Sequence, residues 1–198
     1  MYRLGLTGSI ATGKSAVLAA FAANGVPVFS ADAAVAELYA GAAAPAVEAL
    51  FPGVVVEGAV DRTRLSLQLA KNPGKFDRLE ALVHPMVRAR IAQFLADAAA
   101  AGETLAVVEV PLLYETGHDY GFDGVAVTVV DPAIQRERAL ARAGMTVDKL
   151  QTILARQLPQ AEKQKRADFV FDTGKPLAVT QAEVAALVKA LRAQQEQA

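Results

Sequence analysis

Gly8-Ser9-Ile10-Ala11-Thr12-Gly13-Lys14-Ser15 constrains this chain more than any other stretch. It spells G-x-x-x-x-G-K-S. Two glycines let the backbone turn where a Cβ would clash, so successive N–H groups can converge on phosphate oxygens. Lys14 sets a compact positive charge on the β- and γ-phosphates, and the Ser15 hydroxyl is a natural Mg²⁺ ligand. The flanks supply the setting. Tyr2-Arg3-Leu4-Gly5-Leu6-Thr7 reads as a short strand running in, and Ser15-Ala16-Val17-Leu18-Ala19-Ala20-Phe21-Ala22-Ala23 as a helix running out. Strand, loop and helix N-terminus together make an anion site. The plainer alternative is a glycine-rich turn that binds nothing.

The 198 residues suffice for one well-cored domain with a small inserted part. A net charge of −1 argues against bulk nucleic-acid affinity. The chain has no cysteine, which excludes disulfides and thiolate metal sites and fits a cytoplasmic location. No uncharged apolar run approaches the ~20 residues that span a bilayer. The phosphate loop starts where a leader would stand. No membrane association is therefore expected. His84 and His118 are too few for a histidine metal cluster. The sequence does not decide between a monomer and a small homo-oligomer.

Beyond the first helix, Asn24-Gly25 is a stop and Val26-Pro27-Val28-Phe29 a second short strand. Ser30-Ala31-Asp32 lies at that strand's end, where open α/β sheets place ligand groups. Asp32 is thus a candidate for orienting an acceptor hydroxyl; the plainer reading makes Ser30 or Asp32 the cap of a helix over residues 33–39. Residues 41–58 read as loose. Asp61-Arg62-Thr63-Arg64 precedes a helix marked by Leu65, Leu67 and Leu69, and Asn72-Pro73-Gly74 is a turn. A further helix runs to about Val83. His84-Pro85-Met86-Val87-Arg88 then opens another, to about Ala101, with Pro85 in its first turn. With no strand signal, residues 41–101 read as a helical insertion over the sheet's ligand edge. Arg62, Arg64 and Arg88 are candidates for an anionic substrate, against the alternative of solvated helix charge.

Thr104-Leu105-Ala106-Val107-Val108-Glu109-Val110 has the continuous apolar character of a strand buried on both faces. Pro111-Leu112-Leu113-Tyr114-Glu115 follows at its carboxyl end. Glu109 stands where phosphate-loop proteins keep a metal-orienting acid, and Glu115 is a candidate for lining an acceptor pocket; both could instead be surface acids. Gly124-Val125-Ala126-Val127-Thr128-Val129-Val130 is another buried strand, and Asp131-Pro132 caps a helix with Arg136, Arg138 and Arg142. Arg138 and Arg142 are four apart and share a helical face. Residues 131–166 contain eight Lys/Arg against four Asp/Glu. This local basic excess predicts a lid over about residues 132–166 that closes on a triphosphate. A nucleic-acid surface would call for interleaved aromatics, which are missing. A helix over residues 147–158 starts at Met145-Thr146 and is broken by Pro159. Asp168-Phe169-Val170-Phe171-Asp172 is the last strand, and Thr173-Gly174-Lys175-Pro176 leaves it near where a base ring would rest. A helix over residues 177–192 and a frayed polar tail over 194–198 complete the chain.

These pieces resemble the dephospho-coenzyme A kinase family. The likeness is carried by Leu6 to Ser15, Ala31-Asp32, Asp61-Arg62, His84-Pro85-Met86-Val87-Arg88, Pro111-Leu112-Leu113-Tyr114-Glu115, Arg138, Arg142, Gln157, Ala167-Asp168 and Asp172. It runs in order over nearly the whole chain. His-Pro-x-Val-Arg followed by Pro-Leu-Leu-x-Glu is its most specific part. The resemblance implies an α/β, three-layer α/β/α P-loop kinase fold with a parallel five-stranded sheet of order 2-3-1-4-5, a helical CoA-binding insertion and a lid. It implies transfer of the ATP γ-phosphate to the ribose 3′-hydroxyl of dephospho-CoA, with ATP as co-substrate and Mg²⁺ at Ser15. ATP contacts would come from Gly8, Ala11, Thr12, Gly13, Lys14, Ser15, Ala16, Arg142 and Thr173. Acceptor contacts would come from Thr7, Asp32, Arg62, His84, Arg88, Leu113 and Glu115. Asp32 would be the catalytic base, with Lys14 and Arg138 as catalytic cations. The family usually shows Asp at Ser30, Thr at Ala16 and Asn at Thr173. Two rival readings are a nucleotide kinase of the same architecture and a nucleotide-dependent switch. A GTP switch would need a guanine-reading Asn-Lys-x-Asp, which does not occur.

Overall fold

Leu4, Leu6, Val17 and Phe21 are fully buried, and a sheet assembles around them. The structure is a computed structural model that describes residues 1–196. Its sheet strands are β1 (Tyr2–Gly8), β2 (Val28–Ser30), β5 (Leu105–Glu109), β6 (Gly124–Val129) and β7 (Phe169–Asp172). Two further strands, β3 (Val55–Val56) and β4 (Ala59–Val60), form a separate antiparallel hairpin. The parallel sheet has the order β2-β5-β1-β6-β7. Counting only its five members along the chain, this is the expected 2-3-1-4-5. All of β5 is buried, as its unbroken apolar run predicts. The register sets Leu6 beside Glu109 and Gly8 beside Thr128. The strand ends that matter for the site are therefore fixed by the ladder.

The chain divides into two compact units. The first comprises Met1–Phe29 with Leu95–Ala198. In it α1 (Lys14–Ala23) and α9 (Leu177–Glu196) pack on each other and on the sheet. Phe21 meets Phe171 edge-on, with centroids 6.1 Å apart. Val184, Val188 and Leu191 of α9 close the same core. The basic segment is α6 (Pro132–Leu140), α7 (Val147–Ala155) and α8 (Gln160–Lys165). Asp131 and Thr146 cap the first two through side-chain hydrogen bonds. Of the tail expected to fray, residues 194–196 continue α9, and 197–198 lie outside the described residues.

The second unit is Ser30–Phe94. It contains α2 (Ala31–Tyr39), α3 (Ala44–Leu50), the β3–β4 hairpin, α4 (Arg62–Lys71) and most of α5 (Phe76–Ala100). Three expectations are corrected here. Residues 41–58 are not loose: Pro45 sits in the first turn of α3, where its missing N–H costs nothing. The stretch is not free of strands either. Glu57 (φ 51°) and Gly58 (φ 82°) both adopt the left-handed conformation of a type I′ turn and join β3 to β4. Finally, α5 runs unbroken through Pro85. Leu79, Val83, Val87 and Ile91 are buried four residues apart, and this seam outweighs the single backbone hydrogen bond that a proline removes. Among the described residues, no single helix is long and apolar enough to cross a membrane.

Candidate active site

The phosphate loop sits between β1 and α1, and its two glycines are required by what surrounds them. A Cβ at Gly8 would run into the hydroxyls of Thr12 and Thr128, which meet at 2.7 Å. Gly13 has φ +84°, and a Cβ there would lie 2.8 Å from the Thr173 hydroxyl. Thr12 also donates to Ser9 O at 2.8 Å, closing the loop on itself. Lys14 Nζ donates to Gly8 O at 2.9 Å and to Ser9 O at 3.1 Å, so its ammonium is folded along the loop. Gly13 gives α1 no side-chain cap, which leaves the positive end of the helix dipole to serve an anion.

A cavity of about 380 Å³ opens beside this loop. Ala11, Gly13, Ser15 and Ala16 form one wall, and Arg138 and Arg142 another. Lys175, Leu177 and Thr180 complete it beyond Thr173. Sequence reading pointed to the stretch Thr173-Gly174-Lys175-Pro176 and missed Leu177 and Thr180. Leu177 is 56% exposed, an apolar surface suited to a flat base. Arg138, in the last turn of α6, donates to Thr173 Oγ1 at 3.1 Å and Thr173 O at 2.9 Å. Thr173 in turn donates to Thr12 O at 2.9 Å. One neutral residue thus joins the basic segment to the phosphate loop. Arg142 does not share the helix with Arg138, because α6 ends at Leu140; a turn from Ala139 O to Arg142 N brings it to the same cavity.

The loop after β5 is tied to the basic segment by charge. Lys163 of α8 has a fully buried side chain, and its Nζ lies 2.8 Å from Glu115 Oε1. Burial pushes its ammonium below the ordinary lysine range, and Glu115 pulls the other way. Lys163 also donates to Pro111 O at 3.2 Å, an oxygen shared with Thr7 Oγ1 at 3.2 Å. Glu115 Oε1 further accepts from Leu158 N at 2.8 Å, while its Oε2 is buried without a partner. Neither Glu115 nor Glu109 is a surface acid: Glu109 is only 5% exposed. Leu113 is buried in the same loop. Nothing in the run Glu162-Lys163-Gln164-Lys165-Arg166 marks one lysine as interior.

The second unit holds the other predicted residues. Ser30 caps α2 by accepting from Ala33 N, so the exposed Asp32 in its first turn is not the cap. Asp61 caps α4, and Arg62 lies over the Tyr39 ring at 5.7 Å. Arg64 turns instead to Asp61 and Gly53 O. Burial pushes the His84 imidazole below its ordinary value, with Arg88 acting in the same sense and Glu80 opposing. Arg88 Nε is buried with no hydrogen-bond partner. Among the described residues, no three His, Cys, Asp or Glu are grouped to hold a metal ion.

Comparison with known proteins gives the family. The family model for CoaE, dephospho-CoA kinase, matches residues 2–178. A dephospho-CoA kinase of Rhodopseudomonas palustris (strain BisB18) is 54% identical over 187 residues, 94% of each chain. One from Mesorhizobium japonicum is 50% identical over 194 residues, 98% of each chain. Among solved structures, TT1252 from Thermus thermophilus has a TM-score of 0.79 at 30% identity, over 96% of this chain and 97% of that one. A dephospho-CoA kinase from Campylobacter jejuni has the same fold, with a TM-score of 0.67 at 23% identity over 96% of both chains. The chain belongs to the dephospho-CoA kinase family.

Proposed function

We infer that this protein transfers the γ-phosphoryl group of ATP to the ribose 3′-hydroxyl of dephospho-CoA, giving coenzyme A and ADP. The observation that carries this reading is the cavity in which the phosphate loop faces Arg138 and Arg142, in a chain of this family. Phosphoryl transfer asks for alignment and charge neutralisation more than for covalent chemistry. The loop amides, Lys14 and the α1 dipole bind the β- and γ-phosphates. Gly8, Thr12 and Gly13 keep the loop shape, and Ala16 offers no hydroxyl to the phosphates. Arg138 and Arg142 balance the charge that spreads over the equatorial oxygens of the γ-phosphoryl. The exposed Ser15 hydroxyl on the cavity wall is the residue that would hold Mg²⁺, an ion bound largely through waters and substrate phosphates. When bound, that ion neutralises phosphate charge.

On the acceptor side, the ribose oxygen forms a bond to γ-phosphorus as the bond to the bridging oxygen of ADP breaks. Asp32 takes the hydroxyl proton. Its carboxylate is spare for this work because Ser30 does the capping. Arg62, His84 and Arg88 bind the acceptor, and the buried, unpartnered Arg88 Nε suits a phosphate or carbonyl oxygen. Thr7 acts from the end of β1, and Leu113 and Glu115 from the loop that follows β5. Incubation with ATP and a panel of dephospho-CoA, AMP, CMP and adenosine tests the reading. Phosphorylation of dephospho-CoA is expected; phosphorylation of a nucleotide in its place, or ATP hydrolysis with no product, overturns it. Asp32→Asn should lower kcat by about 10²-fold with ATP affinity kept. An unchanged kcat would remove Asp32 from the chemistry.

A further inference from the structure

Both polar atoms of the Ile10 peptide unit's residue are taken by glutamines of the basic segment. Ile10 N donates to Gln157 Oε1 at 2.9 Å, and Ile10 O accepts from Gln135 Nε2 at 2.8 Å. Behind Gln135 stands a third glutamine: Gln160 Nε2 donates to Gln135 Oε1 at 2.8 Å, and Val130 N donates to Gln160 Oε1 at 2.9 Å. The backbone at each end fixes every amide orientation. Val130 N–H can only donate, so the Gln160 oxygen faces it and its NH₂ faces Gln135. That leaves the Gln135 NH₂ for Ile10 O. Gln135 is 7% exposed, so its partners cannot be replaced freely by water.

The next residue gives the relay its purpose. Ala11 adopts φ +59°, a left-handed conformation that a residue with a Cβ resists, and it lines the nucleotide cavity. It packs against Ala139 of α6 and Leu150 of α7. We propose that Gln135 and Gln157 are positioning residues that pre-set the phosphate loop for the triphosphate of ATP, with Gln160 orienting Gln135. This rests on the ATP reading given above. The Ile10 N–H is spent on Gln157, so the amides that meet phosphate begin at Ala11. A loop already in its binding shape loses less freedom when the nucleotide arrives.

The test uses the full chain and steady-state kinetics with dephospho-CoA saturating. Gln135→Leu and Gln157→Leu should each raise the KM for ATP about tenfold, one hydrogen bond's worth, with kcat within about twofold. Glutamate separates the two positions. Gln157→Glu keeps the acceptor for Ile10 N–H, so amide exchange at Ile10 in the nucleotide-free protein should stay slow, whereas Gln157→Leu should speed it. Gln135→Glu loses the donor to Ile10 O and should raise the ATP KM at least as much as leucine does. If Gln135→Leu fails to fold, Gln160→Leu carries the test with a rise of about threefold. An ATP KM unchanged in the leucine variants of an active kinase overturns the inference, as does Ile10 exchange equally fast in Gln157→Glu and Gln157→Leu. A wild-type protein that leaves dephospho-CoA untouched removes the ATP reading itself, a different result.

Discussion

Arg138→Ala should slow phosphoryl transfer by about 10³-fold, the order that a transition-state arginine contributes in related transfers. Dephospho-CoA binding should change by less than about threefold. Both hydrogen bonds of Arg138 end on Thr173, a neutral residue, so its charge is not committed to a carboxylate there. A guanidinium placed this way can serve the γ-phosphoryl without first breaking an ion pair. Arg138→Lys should recover only part of the rate, because an ammonium keeps the charge but lacks the planar fork. Single-turnover kinetics report the transfer step, and calorimetric titration reports acceptor affinity. A large loss of acceptor affinity with near-normal transfer would reassign Arg138 to the acceptor side.

Lys163→Met should destabilise the protein by about 3–5 kcal/mol, because it strands the Glu115 carboxylate in a dry site. Glu115 Oε1 now meets the Lys163 ammonium and the Leu158 amide, and Oε2 has no partner to fall back on. Adding Glu115→Leu to Lys163→Met should recover most of that loss, since an apolar pair does not pay the desolvation of an unpaired ion. Urea unfolding measures both. A double variant no better than the single would remove the pair from the stability of the loop after β5.

The features that were legible in the sequence are local ones. The phosphate loop announces itself because each glycine, the lysine and the serine are set by short-range geometry. β5 and β6 were readable because burial on both faces demands an unbroken apolar run. Pro85 misled because a proline's local cost is visible in sequence, whereas the seam of Leu79, Val83, Val87 and Ile91 that overrides it belongs to tertiary packing. The β3–β4 hairpin escaped because two-residue strands have no period to detect. Lys163, Gln135 and Gln160 escaped for a different reason. Their partners lie 25 to 125 residues away in sequence, and nothing in their own neighbourhoods signals burial or hydrogen-bond direction.

The turn at Glu57-Gly58 has a practical side. Glutamate is a poor occupant of a left-handed backbone position, and the residue most at ease there, beside glycine in a two-residue hairpin, is asparagine. A laboratory wanting a more heat-tolerant enzyme can begin with a single codon at position 57, outside every residue to which chemistry has been assigned.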